Sequence, residues 1–168
     1  MTTIARAVLL AAGIAAAVAG YLWWYSPERQ IRRVLDAVAQ GFSHEAPVTG
    51  LAAVASASAI QPYFSPGVTV EPGRPFGAIT GRDAVIAAAA RVHSSTPAVQ
   101  VQFEDVSITI APDERSATVD CTAMAAVQDR AGQETVDARE VIITMHLQDG
   151  RWVITRARAV DVLEPVTP

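Results

Sequence analysis

A chain of 168 residues, 51% hydrophobic and 18% charged, carries enough apolar side chain for one packed domain and is too apolar to be disordered. Its formal net charge of -4 and pI near 5.3 exclude the basic footprint that nucleic acid requires. The lone cysteine, Cys121, permits no internal disulfide.

All thirteen basic residues are arginine, and the chain has neither lysine nor asparagine. A GC-rich genome explains this bias, so the arginines do not by themselves signal phosphate recognition. Without asparagine there is no N-glycosylation acceptor.

After a short tail, residues 1–6, the run Ala7 to Tyr25 is almost wholly apolar and uncharged. As a helix it would rise roughly 28 Å, near the thickness of a bilayer's hydrocarbon core. It closes on Tyr21, Trp23, Trp24 and Tyr25, side chains suited to a membrane–water interface. The expectation is a single-pass anchor over residues 7–25 with lipid as its partner. A signal peptide cut after Ala17-Val18-Ala19 is the competing reading. The flanking arginines favour a cytoplasmic domain by simple count, but Arg29, Arg32 and Arg33 lie on the next helix and have a local explanation. An extracytoplasmic domain is the orientation expected.

Ser26-Pro27-Glu28 starts a helix, with a capping hydroxyl, a proline in the first turn and an acid near the positive end of the dipole. Ile31, Val34, Leu35, Val38 and Phe42 form its apolar stripe, and Gly41 marks its end. A second helix is expected from Val48 to Ile60, with Leu51, Val54, Ala55 and Ala59 on its buried face and Pro62 as its stop. Val68-Thr69-Val70 reads as a short strand, Pro72, Gly73 and Pro75 as a loop, and Phe76 to Ile79 as a short partner. Thr80 caps a third helix in which Asp83 completes a capping box. That helix runs through Ala84, Val85, Ala88, Ala89 and Val92, with His93 in its last turn and Pro97 beyond it.

Four long strands follow. In Val99 to Ile110 the apolar positions switch from odd (Val99, Val101, Phe103) to even (Val106, Ile108, Ile110) at Glu104-Asp105, as a β-bulge demands. Pro112-Asp113-Glu114 turns into Ala117 to Val127. Val136 to Gln148 then joins Arg151 to Leu163 through Asp149-Gly150, a strong two-residue hairpin signal.

Three helices followed by a bent antiparallel meander specify an α+β fold. The order resembles the nuclear transport factor 2-like superfamily, also called SnoaL-like or the cystatin-like cone. The helix from Pro27 to Gly41, Gly81-Arg82-Asp83 and the hairpin Asp149-Gly150-Arg151-Trp152 running to Val162-Leu163 carry the resemblance. It spans about residues 27–164 and leaves 165–168 as a tail. It implies three helices packed on a strongly bent sheet of four to six mainly antiparallel strands. The superfamily contains isomerases, dehydratases and epoxide hydrolases alongside domains that only bind or assemble, so the fold does not assign chemistry.

The Asp149-Gly150 turn pairs Leu147 with Trp152 and Met145 with Ile154. Extended without interruption, it pairs Ile143 with Arg156 and Val141 with Arg158, aiming both arginines into the cone; a bulge in the last strand would move either to the outside. Inside, they would clamp an anionic ligand or form salt bridges at the rim with Asp137 or a glutamate. Tyr63 would line the pocket or close the core. The opposite face, with His146, Thr144, Ile142, Glu140, Val153, Thr155, Ala157 and Ala159, would be convex and suited to pairing two copies. His44, His93 and His146 lack a metal-ligand spacing, so no metal is expected and no cofactor is implied. Cys121 reads as a small buried hydrophobe.

With no acid–base pair visible in the interior strand positions, no catalytic residue is assigned. The primary expectation is a membrane-anchored, non-catalytic domain that binds an unidentified protein or a small apolar ligand. The alternative is a hydrolase or isomerase acting on a small hydrophobic anion held by Arg156 and Arg158.

Overall fold

The computed structural model describes residues 26–46, 48, 50–129 and 131–160. The expected anchor, its cleavage alternative and the C-terminal tail lie outside the described residues. Among the described residues no helix is long and apolar enough to cross a membrane.

Helix α1 spans Pro27–Phe42. Ser26 caps it as expected, its Oγ accepting from Arg29 N at 3.4 Å. The helix buries Ile31, Val34, Leu35, Val38 and Ala39 on one face and lies along strand β3, Ala98–Ile110. Helix α2 spans Leu51–Ser58, shorter than expected, and presents a different face. Ala53 and Ala57 are buried, whereas Leu51 is 87% and Val54 50% exposed. The reason is steric: α2 packs against helix α3, Arg82–Ser95, and small side chains allow that close approach.

A short 3-10 turn, Gln61–Tyr63, leads into strand β1, Phe64–Glu71, whose partner β2 is Ile79–Thr80. Thr80 is thereby committed to the sheet opposite Thr69. Gly81 replaces it as the N-cap of α3, without a side-chain cap, and the expected capping box does not form. Helix α3 buries Val85, Ala89 and His93 at a four-residue interval, while Val92 lies on its exposed side.

Strands β3, β4 (Ser116–Gln128), β5 (Glu134–Gln148) and β6 (Arg151–Ala159) form the expected meander. The sheet order is β2-β1-β6-β5-β4-β3, antiparallel except for β1 against β6. The bulge at Glu104-Asp105 is present: pairing with β4 slips between Glu104 and Ser107, and Asp105 takes φ 50°. Asp149 (φ 49°) and Gly150 (φ 74°) turn the last hairpin. In the β3–β4 turn the Asp113 carboxylate accepts from the backbone N–H of Arg115 and Ser116 and from the Ser116 hydroxyl. These bonds, the Arg115 amide foremost, hold its pKa below the ordinary aspartate value.

The last strand carries the bulge that would move its arginines outward. Gln148–Arg151, Leu147–Trp152 and Met145–Ile154 pair as expected, but Thr144 then faces Arg156, Ile143 faces Ala157 and Ile142 faces Arg158. Thr155 is the extra residue, and its hydroxyl donates to Thr144 O at 3.1 Å. Beyond it, every β6 side chain sits on the face opposite to the one an uninterrupted register gives.

Met145, Trp152 and Ile154 near the hairpin belong to one buried cluster with Ile31 and Leu35 from α1. The end of α1 depends on Gly41, where a β-carbon would overlap Ile60 Cγ2, and Ile60 is fully buried. Alanine in a helix gains about 0.5–1 kcal/mol over glycine, but overpacking a core costs about 1–3 kcal/mol. Gly41→Ala is therefore expected to lower unfolding free energy by about 1–2 kcal/mol in a urea titration. Unchanged or greater stability would show that the α1–Ile60 contact is not closely packed.

Candidate functional site

The sheet's inner face is filled at the hairpin end and open at the other. There a cavity of about 310 Å³ lies between α1, α3, β1 and the sheet. That is the room of roughly ten water molecules at about 30 Å³ each, near the lower limit for small-ligand pockets. Phe64, Ile143 and Ile154, all nearly inaccessible, line its depth.

The space exists because the facing strand positions are small. Ala123 and Ala125 on β4 stand beside Arg139 and Asp137 of β5, Ala157 and Ala159 on β6 stand beside Ile143 and Val141, and Ala88 of α3 lines the same space. Phe42, Val70, Ile79 and Phe103 complete a mostly apolar wall.

Asp137 and Arg139 are the polar side chains that parity directs inward. They continue the alternation of Ile143 and Val141 along β5 and stand opposite Ala125 and Ala123. Arg139 Nε donates to Asp137 Oδ2 at 2.9 Å. Its Nη1 donates to Pro72 O at 2.8 Å and Arg74 O at 3.2 Å, tying the loop after β1 to the rim. Both side chains remain partly in solvent, Arg139 at 32% and Asp137 at 59% exposure, so they mark the mouth of the cavity.

The arginines expected inside are outside. The Thr155 bulge turns Arg156 and Arg158 to the convex face, where both are exposed. Arg156 Nη2 contacts Glu71 Oε1 at 2.8 Å, a rim ion pair. Their inward places are taken by Ala157 and Ala159, which the uninterrupted register had placed on the convex face. Tyr63 is half-buried against the core and does not line the cavity. Asp137, expected at the rim as a salt-bridge partner of Arg156 or Arg158, does stand at the mouth, but it pairs with Arg139. The signal for it lay in the spacing Asp137, Arg139, Val141, Ile143, four alternate residues that share one face.

The histidines are dispersed between two structural settings. His146 is exposed on the convex face, as expected. His93, expected to stand in the field of its helix terminus, is only 1% exposed. Its ring meets His44 edge-to-face, with centroids 4.8 Å apart. His93 Nε2 faces Phe42 O at 3.3 Å and His44 Nε2 faces Thr96 O at 3.0 Å. A carbonyl only accepts, so both Nε2 atoms carry the proton. The His44 backbone also exchanges two bonds with Val99, at 2.8 and 2.9 Å. This pair joins the ends of α1 and α3 to the edge of β3. Among the described residues no cluster of His, Cys, Asp or Glu could hold a metal ion.

With this cone and its cavity in place, the family model for the SnoaL-like domain matches residues 28–158. The chain belongs to the SnoaL-like domain family. No curated protein matches it. Solved structures of the same fold include an NTF2-like protein with a cystatin-like fold from Novosphingobium aromaticivorans. It is 15% identical with a TM-score of 0.62, over 89% of this chain and 90% of that one. A proposed dehydratase of the NTF2-like family from Streptomyces avermitilis is 15% identical at TM-score 0.58, over 81% and 97%. A proposed aromatic ring hydroxylase from Novosphingobium aromaticivorans is 13% identical at TM-score 0.64, over 81% and 88%. At these identities the likeness establishes the fold alone. It agrees with the expected three helices on a bent sheet, here six-stranded.

Cys121 of this SnoaL-like domain lies on the inner face of β4, 6% exposed, as expected of a small hydrophobe. Burial, reinforced by the Asp120 charge, raises its pKa from 9.0 to about 11. At pH 8 the thiolate fraction is then roughly a hundredfold below that of an ordinary thiol. Iodoacetamide is expected to alkylate the native chain at least a hundredfold more slowly than the urea-unfolded chain. Because the folded state holds this proton more tightly, stability should also fall as pH rises from about 9 toward 11. Rapid labelling of the native protein would contradict this placement.

Proposed function

We propose that the SnoaL-like cone of this protein is a receptor site for one small, mainly apolar molecule. The supporting observation is an open cavity whose facing strand positions are alanine and whose polar side chains are gathered at the mouth. An apolar body would displace water from the depth, at roughly 25 cal/mol for each Å² of apolar surface removed from water. The Asp137–Arg139 pair would meet the ligand's polar end. In this reading the run Ala7 to Tyr25 holds the cone beside a membrane, where apolar molecules concentrate.

A second reading is catalytic. Asp137 has one oxygen bound by Arg139 and no hydrogen bond recorded at the other, so it could accept a proton from a ligand in the cavity. The proposed dehydratase among similar structures makes such chemistry familiar on this fold. The binding reading is favoured here because the second carboxylate of the lining, Glu71, is held by Arg156 and, among the described lining residues, no histidine, tyrosine or cysteine stands ready as the complementary acid.

Native mass spectrometry of the full-length chain purified from its host is expected to show a retained small molecule in addition to the protein mass. Ala157→Leu would place three further carbons in open space. It should abolish that adduct while raising stability by up to about 2 kcal/mol, since each of the three added carbons contributes about 0.8 kcal/mol when buried. An adduct undiminished by Ala157→Leu, or no adduct in any preparation, would count against the cone as a receptor. Turnover of the released molecule by the native chain but not by Asp137→Asn would move the assignment to the catalytic reading.

A further inference from the structure

The alternative drawn from sequence supposed an anionic ligand. We infer instead that the cone selects a neutral molecule, an apolar body bearing one hydroxyl-type head group, and this inference rests on the receptor reading above.

Arg156 and Arg158, which would have made the interior cationic, stand on the convex face, and Arg156 is paired there with Glu71. By strand parity the inward charges are Asp137 and Arg139, one of each sign, joined at 2.9 Å; Glu71, which also lines the cavity, is matched by Arg156 at 2.8 Å. An ionised head group arriving at this mouth meets a balanced pair. It would lose hydration against the apolar wall without a matching opposite charge, the condition under which burying an ion is most costly.

The hydrogen-bonding capacity left in the pair points the same way. Arg139 uses Nε for Asp137 and Nη1 for the carbonyls of Pro72 and Arg74. Asp137 uses Oδ2. Among the described residues, one donor group, Arg139 Nη2, and one acceptor, Asp137 Oδ1, make no hydrogen bond. A hydroxyl both donates and accepts, so it can serve the two together. A carboxylate only accepts and would confront Asp137. An ammonium only donates and would confront Arg139. The loop tied down by Arg139 also resists its release toward a ligand anion, because two backbone carbonyls would lose their donor.

The test uses three probes of one shape: 2-naphthylmethanol, 2-naphthoate and 2-naphthylmethylammonium. Binding to the full-length chain is followed by the methyl resonances of Ala123 and Ala157, which report on the cavity itself. The alcohol is expected to bind at least tenfold tighter than either ion. Asp137→Asn leaves Arg139 unbalanced and should improve naphthoate binding at least tenfold. Arg139→Gln leaves Asp137 unbalanced and should do the same for the ammonium.

Either ion binding the native chain as tightly as the alcohol would overturn the neutral-ligand inference while leaving the cavity as a receptor. Unchanged ion affinities in both variants would likewise overturn it. If none of the three probes shifts the two methyls, the receptor reading fails, and this inference with it.

Discussion

The single extra residue at Thr155 decides what kind of interior this cone has. Without it, β6 would carry Arg156 and Arg158 into the concave side. With it, Ala157 and Ala159 point inward and the guanidinium groups stay in solvent. The Arg156–Glu71 contact that results is more than half exposed on the arginine side. Such pairs stabilise by about 0–1 kcal/mol. Its larger consequence is to keep two charges out of an apolar cavity, where an unpaired ion would be far more costly.

From that slip the rest of the site follows. Four alanines on β4 and β6 leave a volume that larger aliphatic residues would fill. Apolar surface left uncovered forgoes roughly 25 cal/mol for each Å² that packing would remove from water. A chain selected for stability alone would close the gap, and the hairpin end of this same sheet is closed by Met145, Trp152 and Ile154. The contrast between the two ends of one sheet is what supports a ligand-binding role for the open one. At its mouth, Arg139 ties β5, where it also pairs with Asp137, to the loop after β1 through Pro72 and Arg74. A rigid rim around a soft apolar interior is the division of labour expected where a few polar groups orient an otherwise nonspecific guest.

Much of the fold was legible in the sequence because it was written in strong local signals. Ser26-Pro27 fixed the start of α1, the Asp149-Gly150 turn fixed the last hairpin, and the parity switch at Glu104-Asp105 marked a bulge that is present. The bulge at Thr155 left the same kind of trace: Trp152 and Ile154 are apolar at even positions, Ala157 and Ala159 at odd ones. Alanine is too weak a hydrophobe for that switch to stand out beside two arginines. In α2 the most hydrophobic side chains misled, since Leu51 and Val54 face out while Ala53 and Ala57 permit close approach to α3. The His44–His93 contact joins residues far apart in sequence, and no local pattern announces it. The site was legible only in part: Asp137 and Arg139 follow from alternation along β5, but the cavity depends on which residues β6 turns toward them.

The central claim is that the wide end of the cone encloses open apolar space walled by Ala123, Ala125 and Ala157. Xenon enters such cavities and shifts the resonances of the methyl groups it touches. In a methyl-labelled sample of the full-length chain, rising xenon pressure should shift these three alanine methyls along saturating curves, with Ala117 in the packed core unmoved. Saturable shifts absent from all three, or found equally at Ala117, would contradict the account.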